Sequence, residues 1–206
     1  LQVVDQPSSS AKAKRTSSYE SFIPFAPPHE QIGEIVAEFN RSGSVLIVAP
    51  DERDVDKLIE NLSGRFDNIL KLSSASTREE RYRNFLLSMR LEFSVVVGTR
   101  SSIFTPVRNL AAIIIYKESS PDHFEVRSPG WNSSTIAHMR AEKEGVVLVL
   151  TGFAPSVRVA NEIDARTIKF NNQRRQVNVQ AFTPTDGTLL PGRIFSEVKK
   201  ALKNGP

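Results

Sequence analysis

The chain has 206 residues, of which 39% are apolar, and its formal net charge is +4. This length and apolar content suit one domain with a sizeable core, and the mild excess of basic residues is compatible with a nucleic-acid partner. The lack of cysteine excludes disulfides and thiolate metal sites within these residues. No apolar run is long enough to cross a bilayer and no signal-peptide pattern is present, so we expect a cytoplasmic protein without a membrane partner.

The N-terminal segment, 1–21, is rich in Ser, Lys and Gln and poor in apolar residues. This composition is typical of a flexible linker. A frayed terminus fits its first ten residues equally well.

From residue 22 onward, apolar residues alternate between helical spacing and short continuous runs, which predicts alternating helices and strands. In chain order these are a helix at Ile32–Phe39, a strand at Val45–Ala49, a helix capped by Asp51 and ending at Leu62, a strand at Ile69–Leu72, a helix opened by a Ser76-x-x-Glu79 capping box and running to Met89, strands at Phe93–Val97 and Ala112–Ile115, a helix at Asn132–Glu142, a strand at Val146–Leu150, a short helix from Pro155, a strand at Val177–Phe182 and a helix from Pro191. The fold class is therefore α/β, with a largely parallel sheet and helices on both faces.

The most informative segment is Val95–Ile115, in which two buried strands are joined through Gly98-Thr99-Arg100-Ser101. A flexible backbone, two kinds of hydroxyl and a guanidinium come together here at the end of a strand. These groups suit contact with a phosphodiester backbone.

This segment resembles the PriA (primosomal protein N-prime) family of superfamily 2 DNA helicases. In that family Gly-Thr-Arg-Ser is followed by Phe-x-Pro and Asn-Leu, as Phe104-x-Pro106 and Asn109-Leu110 follow it here. The resemblance implies a RecA-like (P-loop-NTPase-like) fold. It also implies that 22–206 is the first motor lobe of a larger protein, preceded by the linker 1–21, with the family's zinc-binding cysteines outside this chain.

The resemblance places the nucleotide-binding loop of the family on residues 25–29, which include Pro27, Pro28 and His29. Such a loop needs glycines, a Lys and a Ser or Thr to hold phosphates and magnesium, and no Gly-x-x-x-x-Gly-Lys-[Ser/Thr] occurs in the chain. Two prolines also remove two backbone donors. These residues therefore predict a degenerate nucleotide site, in which His29 is a surface or capping residue.

The second motor element of the family, Asp-Glu-Glu-His, aligns with Tyr116, Lys117, Glu118 and Ser119. By this resemblance the magnesium-binding Asp and the catalytic Glu are both replaced, and a third element at 151–156 keeps only its last two residues. We therefore expect no catalytic residues, no bound ATP or magnesium, no metal site and no ATP hydrolysis, as in degenerate members of the family from actinobacteria.

The resemblance and the residue chemistry together predict a DNA-binding surface. Its candidate residues are Gly98, Thr99, Arg100, Ser101, Phe124, Arg127 and Trp131. Arg100 suits a phosphate, whereas Phe124 and Trp131 suit stacking on unpaired bases. Two alternatives stay open: Arg100 forms an internal salt bridge, and Trp131 packs against the helix that follows it. Phe104 and Pro106 are expected to pack the loop.

Other polar residues have structural interpretations. Arg81, Arg83 and Arg90 share a predicted helix with two glutamates, which favours local ion pairs. His123 and His138 have no partners at metal-ligand spacing.

Three functions fit these observations. The leading hypothesis is a catalytically silent primosome lobe for replication restart, which binds branched or forked DNA and other primosome proteins. The second is an active ATP-dependent helicase lobe with an unusual nucleotide site. The third is an α/β domain that makes only protein contacts.

Overall fold

A computed structural model describes residues 20–24, 30–171 and 192–204. The strands are β1 (Glu20–Pro24), β2 (Ser44–Val48), β3 (Ile69–Leu72), β4 (Val95–Gly98), β5 (Leu110–Ile115), β6 (Phe124–Glu125), β7 (Trp131–Asn132), β8 (Val147–Gly152) and β9 (Lys169–Phe170). The α-helices are α1 (Glu30–Asn40), α2 (Glu52–Leu62), α3 (Arg78–Arg90), α4 (Ser133–Glu144), α5 (Val157–Asp164) and α6 (Gly192–Asn204). Short 3₁₀ turns cover Arg100–Phe104 and Pro121–His123.

Seven of the described strands form one sheet in the order β3-β4-β2-β5-β8-β1-β9, and every pairing in it is parallel. The two remaining strands, β6 and β7, form a small antiparallel hairpin. Parallel strands joined through helices place their carboxyl ends at a common edge, where α/β proteins bind ligands. The predicted α/β class with a largely parallel sheet is confirmed.

The sheet is buried on both faces, which explains the continuous aliphatic runs. In β2, Val45 and Ile47 belong to a core cluster with Ile32 of α1 and Leu58 of α2. Their neighbour Leu46 points to the opposite face, in a second cluster with Ala137 of α4. Helices therefore cover both faces of the sheet, as predicted.

Side-chain caps begin several of the helices. Asp51, Asn132 and Ser156 accept hydrogen bonds from the first turns of α2, α4 and α5. The capping box of α3 lies one residue later than predicted: Thr77 Oγ1 accepts from Glu80 N, and the Glu80 carboxylate accepts from Thr77 N. The predicted Ser76–Glu79 box is therefore wrong.

Three further differences concern short elements. Glu20 and Ser21, assigned to the linker from sequence, are the first residues of β1, which pairs with β8. The hairpin β6–β7 and strand β9 were not predicted. The predicted strand Val177–Phe182 lies outside the described residues, as do residues 1–19 of the predicted linker.

The chain divides into two compact units, 1–173 and 174–206. The sheet and helices α1 to α5 lie in the first unit, and α6 lies in the second. In the second unit, α6 exposes Phe195, Val198 and Leu202. Across the described ranges, none of the helices combines the length and the apolar character needed to span a membrane.

Candidate nucleic-acid interface

The loops at the carboxyl ends of β2, β3, β4 and β5 enclose a cavity of about 420 Å³. The predicted segment Thr99–Ser101 lines it, together with residues that follow the neighbouring strands. The charged lining residues are Asp51, Glu52, Arg100, Asp122 and Glu125. Four carboxylates against one guanidinium make this edge of the sheet acidic.

Gly98 ends β4 where the chain approaches a neighbouring strand closely. A Cβ atom added here would lie 2.3 Å from the Leu72 carbonyl oxygen and 2.7 Å from Ser102 Cβ. Only glycine fits between them. The glycine therefore shapes the loop that carries Thr99, Arg100 and Ser101.

Arg100 forms an internal salt bridge with the hairpin β6–β7. Its Nε and Nη2 atoms donate to Glu125 Oε2 at 3.1 and 3.0 Å, and Nη1 donates to the Asp122 carbonyl oxygen at 3.3 Å. The Arg127 backbone N–H and the Arg100 guanidinium hold the pKa of Glu125 below its ordinary value. The salt-bridge alternative for Arg100 therefore describes the structure, and contact between Arg100 and DNA stays a prediction.

The hairpin gathers the other three predicted DNA-binding residues beside Arg100. Trp131 packs edge-on against Phe104, with ring centroids 5.0 Å apart. Phe124 and Arg127 are exposed on the same hairpin. The structure therefore brings the predicted set together, but pairs Trp131 with another aromatic ring.

Tyr116 and Lys117 follow β5, where the family resemblance predicts a degenerate motor element. Tyr116 is fully buried, and burial raises the pKa of its phenol. Lys117 Nζ donates to both carboxylate oxygens of Asp54 at 2.7 and 2.8 Å, and lies 5.5 Å from the centre of the Tyr116 ring. The ammonium group therefore neutralises a carboxylate of α2 that is only 4% exposed.

Glu118, the retained acidic residue, joins this element to the start of α5. Its Oε2 accepts from Ser156 N at 3.0 Å, and its Oε1 accepts from Ser156 Oγ at 2.8 Å. Ser134 Oγ lies 3.4 Å from the same Oε1. Ser119 is exposed, whereas both oxygens of the buried Glu118 are used within the fold.

These contacts do not fit a magnesium ion at the end of β5. The ammonium group of Lys117 repels a cation, Tyr116 is inside the core, and the Glu118 oxygens are occupied by hydroxyl and amide donors. Pro27, Pro28 and His29 lie outside the described residues. In the parts of the chain that are described, no three His, Asp or Glu side chains are arranged to hold a metal ion.

His123 and His138, which the sequence does not assign to a metal site, both contact other residues of the chain. His123 is fully buried, and its Nε2 lies 2.9 Å from the Tyr116 carbonyl oxygen, so this nitrogen carries the proton. Burial lowers the pKa of His123. His138 Nδ1 lies 2.8 Å from Glu20 Oε1.

The local ion pairs predicted for the arginines of α3 are absent. Of the residues that the structure describes, no carboxylate lies within salt-bridge distance of Arg78, Arg81, Arg83 or Arg90. Glu80 is engaged in the helix cap instead. The prediction of local ion pairs between Arg81, Arg83 or Arg90 and Glu79 or Glu80 is therefore wrong.

Sequence reasoning did not identify Asp54, Glu125 or Asp122 as parts of this region. Asp54 is 63 residues from Lys117, and Glu125 is 25 residues from Arg100. The one available signal was Asp54 itself, an acidic residue on the apolar side of a predicted helix, next to Val55.

No protein-family model matches the chain. It is 29% identical over 128 residues to the probable replication restart protein PriA of Mycobacterium tuberculosis, a match that covers 61% of this chain and 20% of that protein. The corresponding values are 25% over 157 residues for replication restart protein PriA of Thermotoga maritima (73% and 21%) and 23% over 161 residues for that of Bacillus subtilis (78% and 19%). The chain thus spans about a fifth of the length of these curated relatives.

Among solved structures, the fold is similar to the C-terminal domain of S. cerevisiae Dbp5 bound to Gle1 and IP6. The TM-score is 0.52 at 12% identity, over 91% of this chain and 98% of that domain. S. cerevisiae Dbp5 bound to RNA and ADP BeF3 gives a TM-score of 0.54 at 12% identity, over 91% and 45%. At this identity the likeness concerns the fold alone.

The parallel sheet, its two helical faces and these neighbours define a RecA-like fold. Within that fold class, the chain is similar in sequence to part of the replication restart proteins named PriA.

Proposed function

We propose that this chain is a DNA-binding, helicase-like lobe of a replication-restart protein, and that it neither hydrolyses ATP nor unwinds DNA. It would act in the cytoplasm as a scaffold that holds branched or forked DNA and other primosome proteins. The observation that carries the proposal is the ion pair between Lys117 and the buried Asp54, at the place where the family resemblance puts an acidic residue.

The loss of ATP hydrolysis follows from charge. A triphosphate with magnesium needs carboxylates for the metal and a base for the attacking water. Here Tyr116 and Lys117 supply neither, and Glu118 is bound to Ser156. Groups that act as one catalytic unit are strongly non-additive, so the loss of one already removes most of the catalysis.

DNA binding is supported by the relatives named replication restart proteins and by exposed residues near the edge of the sheet. Phe124 and Arg127 are exposed on the hairpin β6–β7, and no described carboxylate pairs with the Arg127 side chain. A ring and an exposed guanidinium on one small hairpin suit a base and a phosphate.

Two measurements on the 206-residue chain test the proposal. Phosphate release from ATP with magnesium and forked DNA should equal that of a protein-free blank, whereas an active RecA-like helicase run in parallel turns over. Binding of the same labelled fork should be saturable and should weaken steeply with salt. Turnover above the blank would refute the silent lobe, and absence of fork binding would refute its DNA role.

The acidic cavity favours a second candidate, a lobe that makes only protein contacts. Its carboxylates Asp51, Glu52, Asp122 and Glu125 repel a phosphodiester backbone and suit a basic partner surface. Under this function the chain would bind no DNA at any salt concentration, which the fork titration decides.

A further inference from the structure

One face of α3 borders a second groove, which adjoins the acidic cavity and shares Ser74 and Ser101 with it. The α3 groove is a cavity of about 790 Å³ between this helix, the end of β3 and the 3₁₀ turn Arg100–Phe104. Its lining includes Leu72, Tyr82, Phe85 and Ser102, with two arginines, Arg78 and Arg81, against one carboxylate, Glu79. Its volume lies within the range of pockets that hold small ligands.

Spacing on the helix places these side chains together. Residues 78, 81, 82 and 85 are three to four positions apart, so they follow one face of α3. Tyr82 is 65% exposed and Phe85 is 36% exposed. Two rings of this kind on a solvent-facing helix contribute little to the core, because Leu87 and Ser88 form the packed side of α3.

The arginines of this face are free to bind an anion. Arg78 and Arg81 are exposed and have no hydrogen-bond or ion-pair partner among the residues that the structure describes. Arg100, the loop residue expected to contact DNA, is instead bound to Glu125. The unpaired arginines that line the groove therefore both belong to α3.

A hydroxyl in the wall of the groove also lacks a partner. Ser102 is only 3% exposed, and its Oγ has no hydrogen-bond partner in the described part of the chain. This hydroxyl is sealed from solvent and lies beside Gly98, so it shapes the wall of the groove and makes no contact with a ligand in it.

We propose that the α3 groove binds single-stranded nucleic acid, with a base stacked on Tyr82 and phosphates paired with Arg78 and Arg81. This rests on the proposed DNA-binding function and specifies its surface. Unpaired bases expose the π-faces that aromatic rings stack on, and a guanidinium binds phosphate through two parallel hydrogen bonds. A duplex would satisfy the arginines but leave the rings without partners, and an acidic polypeptide would do the same.

The helix offers a matched control for this proposal. Arg83 and Arg90 lie on the same helix and are also unpaired within the described ranges, but they do not line the groove. Arg78→Ala/Arg81→Ala and Arg83→Ala/Arg90→Ala therefore remove the same charge and the same side chains. Thermal unfolding of each variant checks that the fold is kept.

The test is fluorescence anisotropy of a labelled oligothymidylate with the 206-residue chain and its variants. The groove double variant should bind about tenfold more weakly and lose roughly 1.4 from the slope of log K against log salt, at about 0.7 per phosphate contact. The control double variant should change affinity less than about threefold. Tyr82→Ala should weaken binding about fivefold or more, with an unchanged salt slope.

Photo-crosslinking gives a second readout that electrostatics alone does not produce. An oligothymidylate carrying 5-iododeoxyuridine should crosslink to Tyr82 or Phe85, as mapped by mass spectrometry. Equal losses in the two double variants, or crosslinks confined to the hairpin β6–β7, would overturn the groove while leaving DNA binding intact. Groove-dependent binding of poly-glutamate, with oligothymidylate unaffected by Tyr82→Ala, would assign the groove to an acidic polypeptide. No oligothymidylate binding by the unmodified chain, together with no fork binding, would refute the DNA role itself.

Discussion

Lys117 keeps the buried carboxylate of Asp54 neutralised, so its loss should destabilise the fold. Lys117 has a positive φ of 54°. Lys117→Met retains much of the side-chain volume at this backbone conformation but removes the charge. Breaking a fully buried pair costs about 3–5 kcal/mol, and because Lys117 is 32% exposed we expect about 1–3 kcal/mol. Urea unfolding of the variant and the unmodified chain measures this difference.

A double substitution separates the ion pair from packing. Lys117→Met/Asp54→Asn leaves no unpaired charge in the core, so it should recover most of the lost stability. If the double variant were as unstable as the sum of both single variants, the electrostatic role of Lys117 would be disproved.

His123 should make the stability of the chain depend on pH. Burial lowers the pKa of His123 from its ordinary value of 6.5, so the folded chain keeps the ring neutral where the unfolded chain binds a proton. The stabilisation is complete above about pH 6.5 and is lost as the pH falls towards the folded-state pKa, by up to about 1.4 kcal/mol per pH unit. Urea unfolding across this range gives the slope.

Glutamine at position 123 isolates the contribution of the histidine. His123→Gln can still donate a hydrogen bond to the Tyr116 carbonyl oxygen but does not titrate. The variant should therefore show a shallower loss of stability on acidification than the unmodified chain. Parallel slopes for the two proteins would show that other groups cause the pH dependence.

Residue types were readable from the sequence, but their partners were not. The change at Lys117 was visible in the chain, whereas the carboxylate that it neutralises belongs to α2, 63 residues away. Arg100 likewise meets Glu125 only because the hairpin β6–β7 folds back onto the loop. Such pairs depend on tertiary packing, which local patterns do not encode.

The hairpin β6–β7 is an element of two short strands, so it depends on contacts outside itself. Arg100 binds it through two donors, and Phe104 packs on Trp131. Arg100→Lys keeps the charge but loses the two-donor geometry. We expect Trp131, the single tryptophan of the chain, to become more accessible to acrylamide quenching and to emit at longer wavelength.

A surface ion pair serves as the control for this element. Arg108 pairs with Glu92 at 3.1 Å, and both side chains are more than half exposed. Arg108→Lys should leave the Trp131 spectrum unchanged, because exposed pairs contribute little. Identical spectra for all three proteins would mean that Arg100 does not hold the hairpin.

The sequence predicted the longer strands better than the two-residue strands. The five-residue β2 and six-residue β5 are continuous aliphatic runs buried on both faces, and the pattern located both. Two-residue strands such as β6 and β9 carry no periodicity. Strand β1 begins with two polar residues, Glu20 and Ser21, which pair with β8 through the backbone and so leave no side-chain pattern. The capping box of α3 was misplaced by one residue because Ser76 and Thr77 are both acceptable caps.

At the scale of the whole molecule, the α/β class follows from the alternation of periods and the RecA-like identity from the resemblance. Neither the alternation nor the resemblance predicted the acidic edge of the sheet or the arginines of α3. Both depend on which charges are neutralised inside the fold: Lys117 and Arg100 are paired, whereas Arg78 and Arg81 are not. Net charge alone, at +4, conceals this division.

Thermal unfolding with and without ligands tests whether the whole chain binds DNA and not ATP. A ligand that binds only the folded state at one hundred times its Kd stabilises by about 2.7 kcal/mol, which corresponds to roughly 5–10 °C in Tm for a chain of this size. We expect forked DNA to raise Tm by this amount and millimolar ATP with magnesium to leave it unchanged, with magnesium alone as the control. The unpaired arginines of α3 are available to bind the fork. At the end of β5, by contrast, no carboxylate is free to bind the magnesium ion of a triphosphate. A rise in Tm with ATP and magnesium above the magnesium control would show a nucleotide site elsewhere in the chain, and the active helicase lobe would then become the better account of this fold.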